Sequence, residues 1–469
     1  MKKKFNIRNI VVVVVIGLSA TSCEKLIETP SNLPGQLVTE KVFTDSIGSV
    51  NGVVGIYSKA FSTYGPLAGY LSIFPSMSSD DMISSSDAYS PIFNNKLTPG
   101  NEGNQNEGTA PIWSGFYGNT MIYHANAAIE GLNASKGITE TLRSQLIGEC
   151  EVVRSLSYFY LTNLFGAVPL AQTSDYTVNS KLPRSSTEDV YKLIISDLSD
   201  ASRRLKDKYP SAGRARPNKY TALALLSRVQ LYRQQWVKAD SAATAVINAG
   251  IYRLENIDNV FLLGNEEVIW QGLSTAFYSW ITQEGPMFVP FNNTSIPTYP
   301  LRKSLVDAFE PTDLRRSRWI GTSTVSGIPY YYAFKYKNTY SSRPNGATEA
   351  EVVFRLSEQY LIRAEARINQ GDLGGGKADI DKVRERAGLL PTTAATKDQL
   401  LAAVLKERRT EFFCEWAHRW LDLKRHGLVN STMAAEKPGI WPTDGHQALY
   451  PVPYVQVTSN PGWAQNPGY

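Results

Sequence analysis

The sequence predicts a mainly α-helical fold, with a scaffold of tetratricopeptide-like helix pairs, long loops and a minor amount of β-structure. Two observations predict it. Apolar residues recur at three- and four-residue steps through most of the chain, as on the buried face of a helix. Two of these stretches, 220–250 and 357–388, each contain a turn between two helical patterns. The chain therefore contains helical hairpins in its middle and near its end.

Single helices are predicted outside these pairs. Ser186 and Thr187 supply capping side chains at the start of one of them, and Pro183 precedes it as a helix breaker. The expected helices cover 50–61, 113–132, 142–165, 188–205 and 402–425.

Small residues at matching positions indicate close contacts in the two helix pairs. Ser227 and Ala239 are twelve residues apart in the first pair, and Ala366 and Ala378 are twelve apart in the second. Small side chains at that spacing let the helices of a tetratricopeptide-type hairpin approach each other.

Two stretches interrupt the helical pattern. Residues 78–111 are rich in Ser, Asp, Asn, Gly and Pro, and residues 272–340 mix aromatic residues with Pro, Asn and Ser. Tyr330 to Tyr336 resembles a strand within the second stretch. Long irregular loops in a compact protein are usually functional or disordered, and these contain too many aromatic residues for plain disorder.

The N-terminus is typical of a secretory signal peptide. Four basic residues precede a short apolar stretch, Ile10 to Ile16, which is well below the roughly 20 residues that span a bilayer. Small residues then lead to Cys23, as at a bacterial lipoprotein cleavage site. We expect a signal peptide at 1–22, a lipidated tether at 23–45 and a folded body at 46–469.

The charge of the expected mature chain argues against nucleic acid as a partner. Four of the 48 basic residues and none of the 43 acidic residues lie in 1–22, so the formal net charge falls from +5 to +1. Nucleic-acid binding usually needs a basic face. The two cysteines besides Cys23, Cys150 and Cys414, each lie in an apolar helical pattern, which favours buried thiols over a disulfide.

Other chemistries find weak support in the sequence. Gly371 to Lys377 satisfies G-x-x-x-x-G-K, but Ala378 follows where a phosphate-binding loop needs Ser or Thr, and a helix precedes it. Glu415 and His418 form one E-x-x-H pair where a di-iron site needs two. Glycoside hydrolysis needs only two carboxylates, and Asp80, Asp81 and Asp87 could supply them.

Several motifs resemble those of one family. Glu407 to Gly427 reads ERRTEFFCEWAHRWLDLKRHG, and the chain ends in YPVPYVQVTSNPGWAQNPGY. Gly148 to Leu170 reads GECEVVRSLSYFYLTNLFGAVPL. Together with Leu361 to Leu389, these segments resemble the SusD/RagB family in the expected order.

This resemblance implies the fold, the partners and the location. Members are outer-membrane lipoproteins that face the exterior, capture oligosaccharides and pass them to a SusC-like TonB-dependent transporter. The resemblance implies no catalytic residue, metal or cofactor. The charged residues of the 407–427 motif are expected to be structural, since they can clamp this segment to the scaffold.

The ligand is expected to bind on the two loop regions. A sugar has apolar C–H faces and a rim of hydroxyls, so its capture needs an aromatic platform with polar groups at the edge. The candidate platforms are Trp280, Tyr278 and Tyr89, and the candidate polar groups are Asn94 and Asp81. Their aromatic and amide neighbours in the same loops include Phe277, Gln283, Asn292, Asn293, Phe93 and Asn95.

The sequence leaves a second function open. The chain could act as a lid or gating subunit of the same kind of transporter, with a peptide or another non-sugar nutrient as cargo. Its nearly neutral charge does not separate the two hypotheses.

Overall fold

The structure, a computed structural model, describes residues 42–62, 65–101, 109–118, 121–273, 281–342 and 348–469. Helices dominate this part of the chain, which confirms the predicted fold class. Before the first helix pair the helices are α1 (Ser46–Ala60), α2 (Tyr70–Ser78), α3 (Ser90–Phe93), α4 (Ala110–Tyr117), α5 (Met121–Ala134), α6 (Glu140–Phe165), α7 (Tyr176–Asn179) and α8 (Thr187–Arg204). The remaining helices are α9 (Lys219–Tyr232), α10 (Trp236–Ile247), α11 (Glu284–Phe288), α12 (Lys303–Val306), α13 (Leu314–Arg318), α14 (Leu356–Gln370), α15 (Leu373–Arg386), α16 (Lys397–Phe412), α17 (His418–Arg425), α18 (Val429–Glu436) and α19 (Tyr454–Ser459).

The strands are short and pair antiparallel. They are β1 (Val168–Pro169), β2 (Arg184–Ser185), β3 (Val268–Gly272), β4 (Ile320–Val325), β5 (Ile328–Ala333) and β6 (Glu351–Arg355), paired as β1–β2, β3–β6 and β4–β5. The β4–β5 hairpin turns at Ser326 and Gly327, whose φ angles of 50° and 79° suit a tight two-residue turn. Of the strand expected at 330–336, residues 330–333 belong to β5, and residues 334–336 lie beyond its end.

The helix expected at 188–205 begins where its capping residues predict. The Ser186 side chain accepts a hydrogen bond from the backbone N–H of Asp189 at 3.1 Å, which satisfies one of the free donors of α8. Helix α8 packs along the long helix α6, most of whose residues are buried. The helix expected at 113–132 is divided instead into α4 and α5, because Gly118 leaves helical geometry with ψ at −159°.

Both predicted helix pairs are present, as α9 with α10 and α14 with α15. Small residues let the two pairs stack on each other: Ala239 of α10 and Ala366 of α14 belong to one buried cluster. The Ser227 hydroxyl donates to Gln359 Oε1 at 2.7 Å across the same junction. Three of the four predicted small residues therefore lie at close contacts, but these contacts join one pair to the other, whereas the sequence predicted contacts within each pair.

The fourth small residue, Ala378, is exposed, so its expected role is wrong. Gly376 takes that place: a Cβ added to it would lie 2.4 Å from Cγ1 of Ile368 and 2.9 Å from the carbonyl oxygen of Ala364. Gly376 lies two positions before Ala378, so the contact is made by another face of α15. The glycines of the GDLGGGK motif therefore serve the start and packing of a helix, whose first turn Asp372 caps.

The long helix expected at 402–425 is broken into α16 and α17. Cys414, Trp416 and Ala417 between them have positive φ angles of 53°, 46° and 63°, which end a helix. The turn buries Phe413 and Trp416, and the indole N–H of Trp416 donates to the carbonyl of Val352 at 2.6 Å. Burial of large rings and this hydrogen bond stabilise a backbone conformation that helical periodicity does not reveal.

Two simpler expectations can also be compared with the structure. Cys150 and Cys414 are buried free thiols, as predicted. Among the described helices, none has the length and apolar character needed to cross a membrane.

Candidate functional site

The two irregular stretches of the sequence meet in space. Residues 82–85 run antiparallel to residues 298–301, with the N–H of Ile83 donating to the carbonyl of Pro300 and that of Ser85 to the carbonyl of Thr298, both at 2.9 Å. We call the surface formed by residues 82–101 and 281–301 the loop face. Backbone hydrogen bonds fix its two halves in register on the helical scaffold.

A row of aromatic rings runs through the loop face. Tyr89 is half-buried, with its ring centroid 5.9 Å from that of Phe74 and 6.0 Å from that of Tyr299. Phe288 lies behind Tyr299 at 6.2 Å. Tyr89 therefore presents one part of its ring to solvent and uses the other to pack on the scaffold, so its role as a ligand platform remains a prediction.

Asn94 keeps hydrogen-bonding capacity for a ligand. Its Nδ2 donates to the hydroxyl of Ser90 at 2.9 Å, and no described residue donates to its Oδ1. The neighbouring Asn95 is buried and instead holds Lys437 and the carbonyl of Ser78. Of the two adjacent amides, Asn94 is half-buried whereas Asn95 is fully buried, which is compatible with the predicted role of Asn94.

Asp81 does not occupy the edge of the loop face, so its predicted role as a polar ligand group is wrong. Its side chain is fully buried, with the backbone N–H of Cys414 3.5 Å from Oδ2 and, among the described residues, no hydrogen-bond partner on Oδ1. Burial and the negative charge of Asp80 raise the pKa of Asp81 to about 6. The burial of this carboxylate could not be predicted from its polar sequence context.

Asp80 is buried beside Asp81 but is paired. Arg419 donates to both oxygens of Asp80, at 2.7 and 2.8 Å, and Arg409 lies 2.8 Å away. Burial alone would raise the pKa of Asp80, but the hydrogen bonds and charges of the two arginines outweigh it and hold the pKa below its ordinary value. Asp80 thus ties the start of the first loop to α16 and α17.

The most exposed aromatic side chain of the loop face was not among the sequence candidates. Phe291 is 94% exposed and directly precedes Asn292 and Asn293. Asn292 Oδ1 accepts from Thr294 and Ser295, which makes a tight local turn directly after Phe291 in the chain. The signal was present in the sequence, as a phenylalanine between a proline and two asparagines.

Trp280 and Tyr278, with their neighbour Phe277, lie outside the described residues, as does Cys23. Their roles remain predictions. The chain after them is firmly held, since the backbone N–H of Gln283 donates to Glu351 Oε1 at 2.7 Å.

A buried pair of carboxyl groups lies beneath this anchor. Burial raises the pKa of both Glu284 and Glu351, and for Glu351 the charge of Glu284 raises it further. Glu284 also accepts from the hydroxyl of Ser72 at 3.2 Å. The pair is withdrawn from solvent and connects α11 with β6 and α2, which is a structural role.

Most charged residues of the 407–427 motif are buried or half-buried and paired across the fold, as expected. Glu411 accepts hydrogen bonds from Arg315, Arg355 and Arg386. The other pairs of this segment are Glu407 with Arg315 and Arg384, Arg408 with Asp422, Arg409 and Arg419 with Asp80, and Arg425 with Glu365 and Asp422. Most of them join elements far apart in sequence, and so clamp α16 and α17 to the scaffold.

The E-x-x-H pair belongs to this interior network. Glu415 pairs with Lys335 and Arg355. Burial and nearby arginines lower the pKa of His418 well below its ordinary value, so its ring is neutral and its Nδ1 faces Arg408 at 3.2 Å. Among the residues that the structure describes, no three His, Cys, Asp or Glu side chains form a group suited to a metal ion.

Comparison with known proteins places both ends of this architecture in one family. The profile described as SusD family matches residues 306–469, and the profile described as starch-binding associating with outer membrane matches residues 50–231. A SusD-like protein of Formosa agariphila is 25% identical, with 97% of each chain covered. The starch-binding protein SusD of Bacteroides thetaiotaomicron is 23% identical, over 72% of this chain and 75% of its own.

Comparison of the fold with solved structures agrees with the comparison of sequences. A laminarin-binding SusD-like protein of known structure superimposes with a TM-score of 0.75, over 91% of this chain and 100% of its own, at 23% identity. The motifs at 148–170 and 407–427 lie within the two matched segments. The chain belongs to the SusD/RagB family.

Proposed function

We propose that this protein captures neutral oligosaccharides at the cell surface and delivers them to a SusC-like TonB-dependent transporter of the outer membrane. The observation that carries the proposal is the loop face, where aromatic rings and the Oδ1 atom of Asn94, to which no described residue donates, are held on the helical scaffold. Family membership supports it, because relatives are named for starch and laminarin binding.

The chemistry of the loop face suits a sugar. Phe291 offers a fully accessible apolar surface, and the half-buried ring of Tyr89 offers a fixed one. Stacking a pyranose on such rings removes apolar surface from water, while Asn94 Oδ1 can accept a hydrogen bond from a hydroxyl. Trp280 and Tyr278 are proposed as further platforms in the adjoining segment.

Binding without turnover is part of the proposal. Two of the three loop carboxylates that the sequence offers for hydrolysis, Asp80 and Asp81, are buried. Asp87 is exposed, but an acid–base mechanism needs a second carboxyl group within about 5–9 Å. Chromatography of an oligosaccharide after long incubation with the protein should therefore detect no shorter product.

We place the protein at the outer membrane, facing the exterior, through lipidation of Cys23 after removal of residues 1–22. Acyl chains on this cysteine would hold the body at the surface, since each buried CH₂ contributes about 0.8 kcal/mol. The Cys23→Ala variant should lose palmitate labelling and leave the membrane fraction, whereas Cys150→Ala should keep both. Palmitate on the Cys23→Ala variant would contradict the anchor.

Calorimetry on the mature chain, residues 23–469 with Cys23→Ala, tests the capture function. Maltoheptaose, laminarihexaose, xylohexaose and mannohexaose serve as neutral probes. We expect one class to bind and Trp280→Ala to weaken it at least about tenfold, or about 1.4 kcal/mol. The control Leu390→Ala, at an 82% exposed position outside the loop face, should bind as the parent does.

Other outcomes separate the function from its site. Binding that Trp280→Ala leaves unchanged would support capture and contradict this platform. Binding of no probe would contradict glycan capture and favour a lid with peptide or other non-sugar cargo. The partner is tested by purification: the intact lipoprotein extracted from its native membrane in mild detergent should bring a TonB-dependent transporter with it.

A further inference from the structure

A cleft lies outside the loop face. It is bounded by Tyr117 and Gly118 at the end of α4, by Ile122 and Tyr123 of α5, by the segment 171–180 and by the C-terminal segment 456–463, and has a volume of about 460 Å³. We call it the C-terminal cleft. Its volume falls within the roughly 300–1,000 Å³ typical of small-molecule sites. No residue of the loop face lines it.

Aromatic rings form the walls of this cleft. Trp463 is fixed by its indole N–H, which donates to the carbonyl of Leu182 at 2.9 Å, and its ring meets Tyr117 edge to face at 6.4 Å. Tyr123 and Tyr176 stand at the opening, 38% and 79% exposed. Exposed rings beside a concave surface offer apolar area that a bound ligand would cover.

Polar groups converge on the same space. Asn179 Nδ2 donates to the carbonyl of Thr173 at 2.8 Å, but its Oδ1 is buried with no partner among the described residues. That oxygen is closed to solvent, so the polar groups open to a ligand are those of Ser180, which is exposed, and of Gln456 and Asn460, which are half-buried. Burial raises the pKa of Tyr117 to about 12, which keeps its hydroxyl protonated and able to donate.

The floor of the cleft is rigid. Asn126 Oδ1 accepts a hydrogen bond from Arg154 Nη1 at 2.8 Å. Its Nδ2 donates to the carbonyls of Ala171 and Thr173 at 3.1 and 3.2 Å. Glu130 accepts from Thr173 and Ser174 outside the cleft and fixes the same segment. Because the cleft is already ordered, its residues lose little conformational entropy when a ligand binds.

The lining also defines the chemistry of the ligand. Among the described residues that line the cleft, none is Asp, Glu, Lys, Arg or His; amides and hydroxyls supply its polarity, through Asn179, Ser180, Gln456 and Asn460 among others. An anionic or cationic ligand would find no countercharge there. A neutral molecule with apolar faces and many hydroxyls matches a lining of rings, amides and hydroxyls.

We propose that the C-terminal cleft is a second oligosaccharide-binding site, separate from the loop face. The class of ligand rests on the proposed function, whereas the location rests on the cleft itself. A second site on the same chain would let one long glycan be held at two points, which raises its effective concentration at the loop face.

Calorimetry on the mature chain with the four neutral oligosaccharides tests the proposal. The cleft variants are Tyr176→Ala and Tyr123→Ala, the loop-face variant is Phe291→Ala, and Leu390→Ala is the surface control. We expect two binding events per chain, with the cleft variants weakening one at least about tenfold and Phe291→Ala leaving that one unchanged. Tyr176→Phe should retain most of the affinity because it keeps the ring.

The outcomes separate the two sites. Binding that depends on Phe291 but not on Tyr176 or Tyr123 would overturn the second site and leave the proposed function intact. Binding that depends on the cleft variants alone would support the cleft and contradict the loop face. Binding of none of the four oligosaccharides would overturn both, and thermal melting of each variant checks that its fold is unchanged.

Discussion

The carboxylate of Asp80 receives two hydrogen bonds from the guanidinium of Arg419, at 2.7 and 2.8 Å, across 339 residues of sequence. This bidentate contact fixes the beginning of the first loop to α17. The Asp80 side chain is 3% exposed and that of Arg419 is 14% exposed. The loop face therefore depends on a charge pair that is largely withdrawn from water.

Asp80→Asn should destabilise the protein strongly. The change leaves the buried charges of Arg419 and Arg409 without their counterion, and removing one partner of a buried pair costs about 3–5 kcal/mol. Urea denaturation at pH 7.5 should show the loss. Asp87→Asn is the matched control, at an exposed carboxylate of the same loop, and should change stability by less than about 0.5 kcal/mol. Equal effects of the two substitutions would contradict the role of the pair.

Asp81→Asn should change the pH dependence of stability. The pKa of Asp81 is about 6 in the folded chain, against about 3.9 unfolded, so the folded state binds more protons between these values. This group therefore makes stability fall as pH rises from about 4 to about 7. The amide cannot ionise, so Asp81→Asn should be more stable than the parent at pH 7.5, by on the order of 2 kcal/mol.

The measurement is chemical denaturation of the parent and Asp81→Asn at steps from pH 4 to pH 7.5. At pH 4 the parent carries a protonated Asp81, so the two proteins should agree within about 0.5 kcal/mol. Curves that run parallel over the whole range would show that Asp81 does not titrate near pH 6. Titration of other acids, such as Glu284 and Glu351, is common to both proteins and cancels in the difference.

Helices could be predicted from the sequence because burial imposes a periodic pattern on them. The cap of Ser186 on α8 follows from residue type and position, whereas Ala239 and Ala366 were expected inside their own pairs and instead join the two pairs. Short strands carried less signal, and β4 was not predicted although its partner β5 was. The break between α16 and α17 was missed because Cys414 and Trp416, with positive φ, continue an apolar pattern.

Site residues were harder to predict than elements, because exposure depends on tertiary contacts. Asp81 and Asn94 have equally polar neighbours in the sequence, yet one is fully buried and the other is half-buried. Phe291 was missed because an isolated phenylalanine usually indicates core. The cleft lined by Tyr117 and Trp463 joins segments more than 300 residues apart, so no local sequence motif predicts it.

Gly376→Ala should weaken the packing of α15 on α14. A Cβ at this position would come within 2.4 Å of Ile368 and 2.9 Å of the backbone oxygen of Ala364, and backbone cannot easily yield. Overpacking of this kind costs about 1–3 kcal/mol. Gly374→Ala is a close control in the same helix, since nothing lies within 4 Å of its added Cβ.

The two glycine variants should move stability in opposite directions. Gly374→Ala should stabilise by up to about 1 kcal/mol, because alanine has the higher helix propensity and restricts the unfolded chain. Urea denaturation of both variants gives the comparison. Stabilisation by both substitutions would mean that the contact between α14 and α15 adjusts to an added methyl group.

Phe291→Ala and Tyr89→Ala should separate binding from folding at the loop face. Phe291 is 94% exposed, so its removal should leave the melting temperature within about 1 °C and weaken oligosaccharide binding at the loop face. Tyr89 packs on Phe74 and Tyr299, so its truncation should cost stability as well, by about 2–3 kcal/mol.

Tyr89→Phe is the matched variant for the second position. It keeps the ring contacts and should restore the stability lost in Tyr89→Ala, so any remaining loss of affinity would come from the hydroxyl. Calorimetry and thermal melting on the same preparations give both quantities. If Phe291→Ala bound oligosaccharide as tightly as the parent while Tyr89→Phe bound weakly, the ligand would lie over the Tyr89 side of the loop face, and Phe291 would have no part in capture.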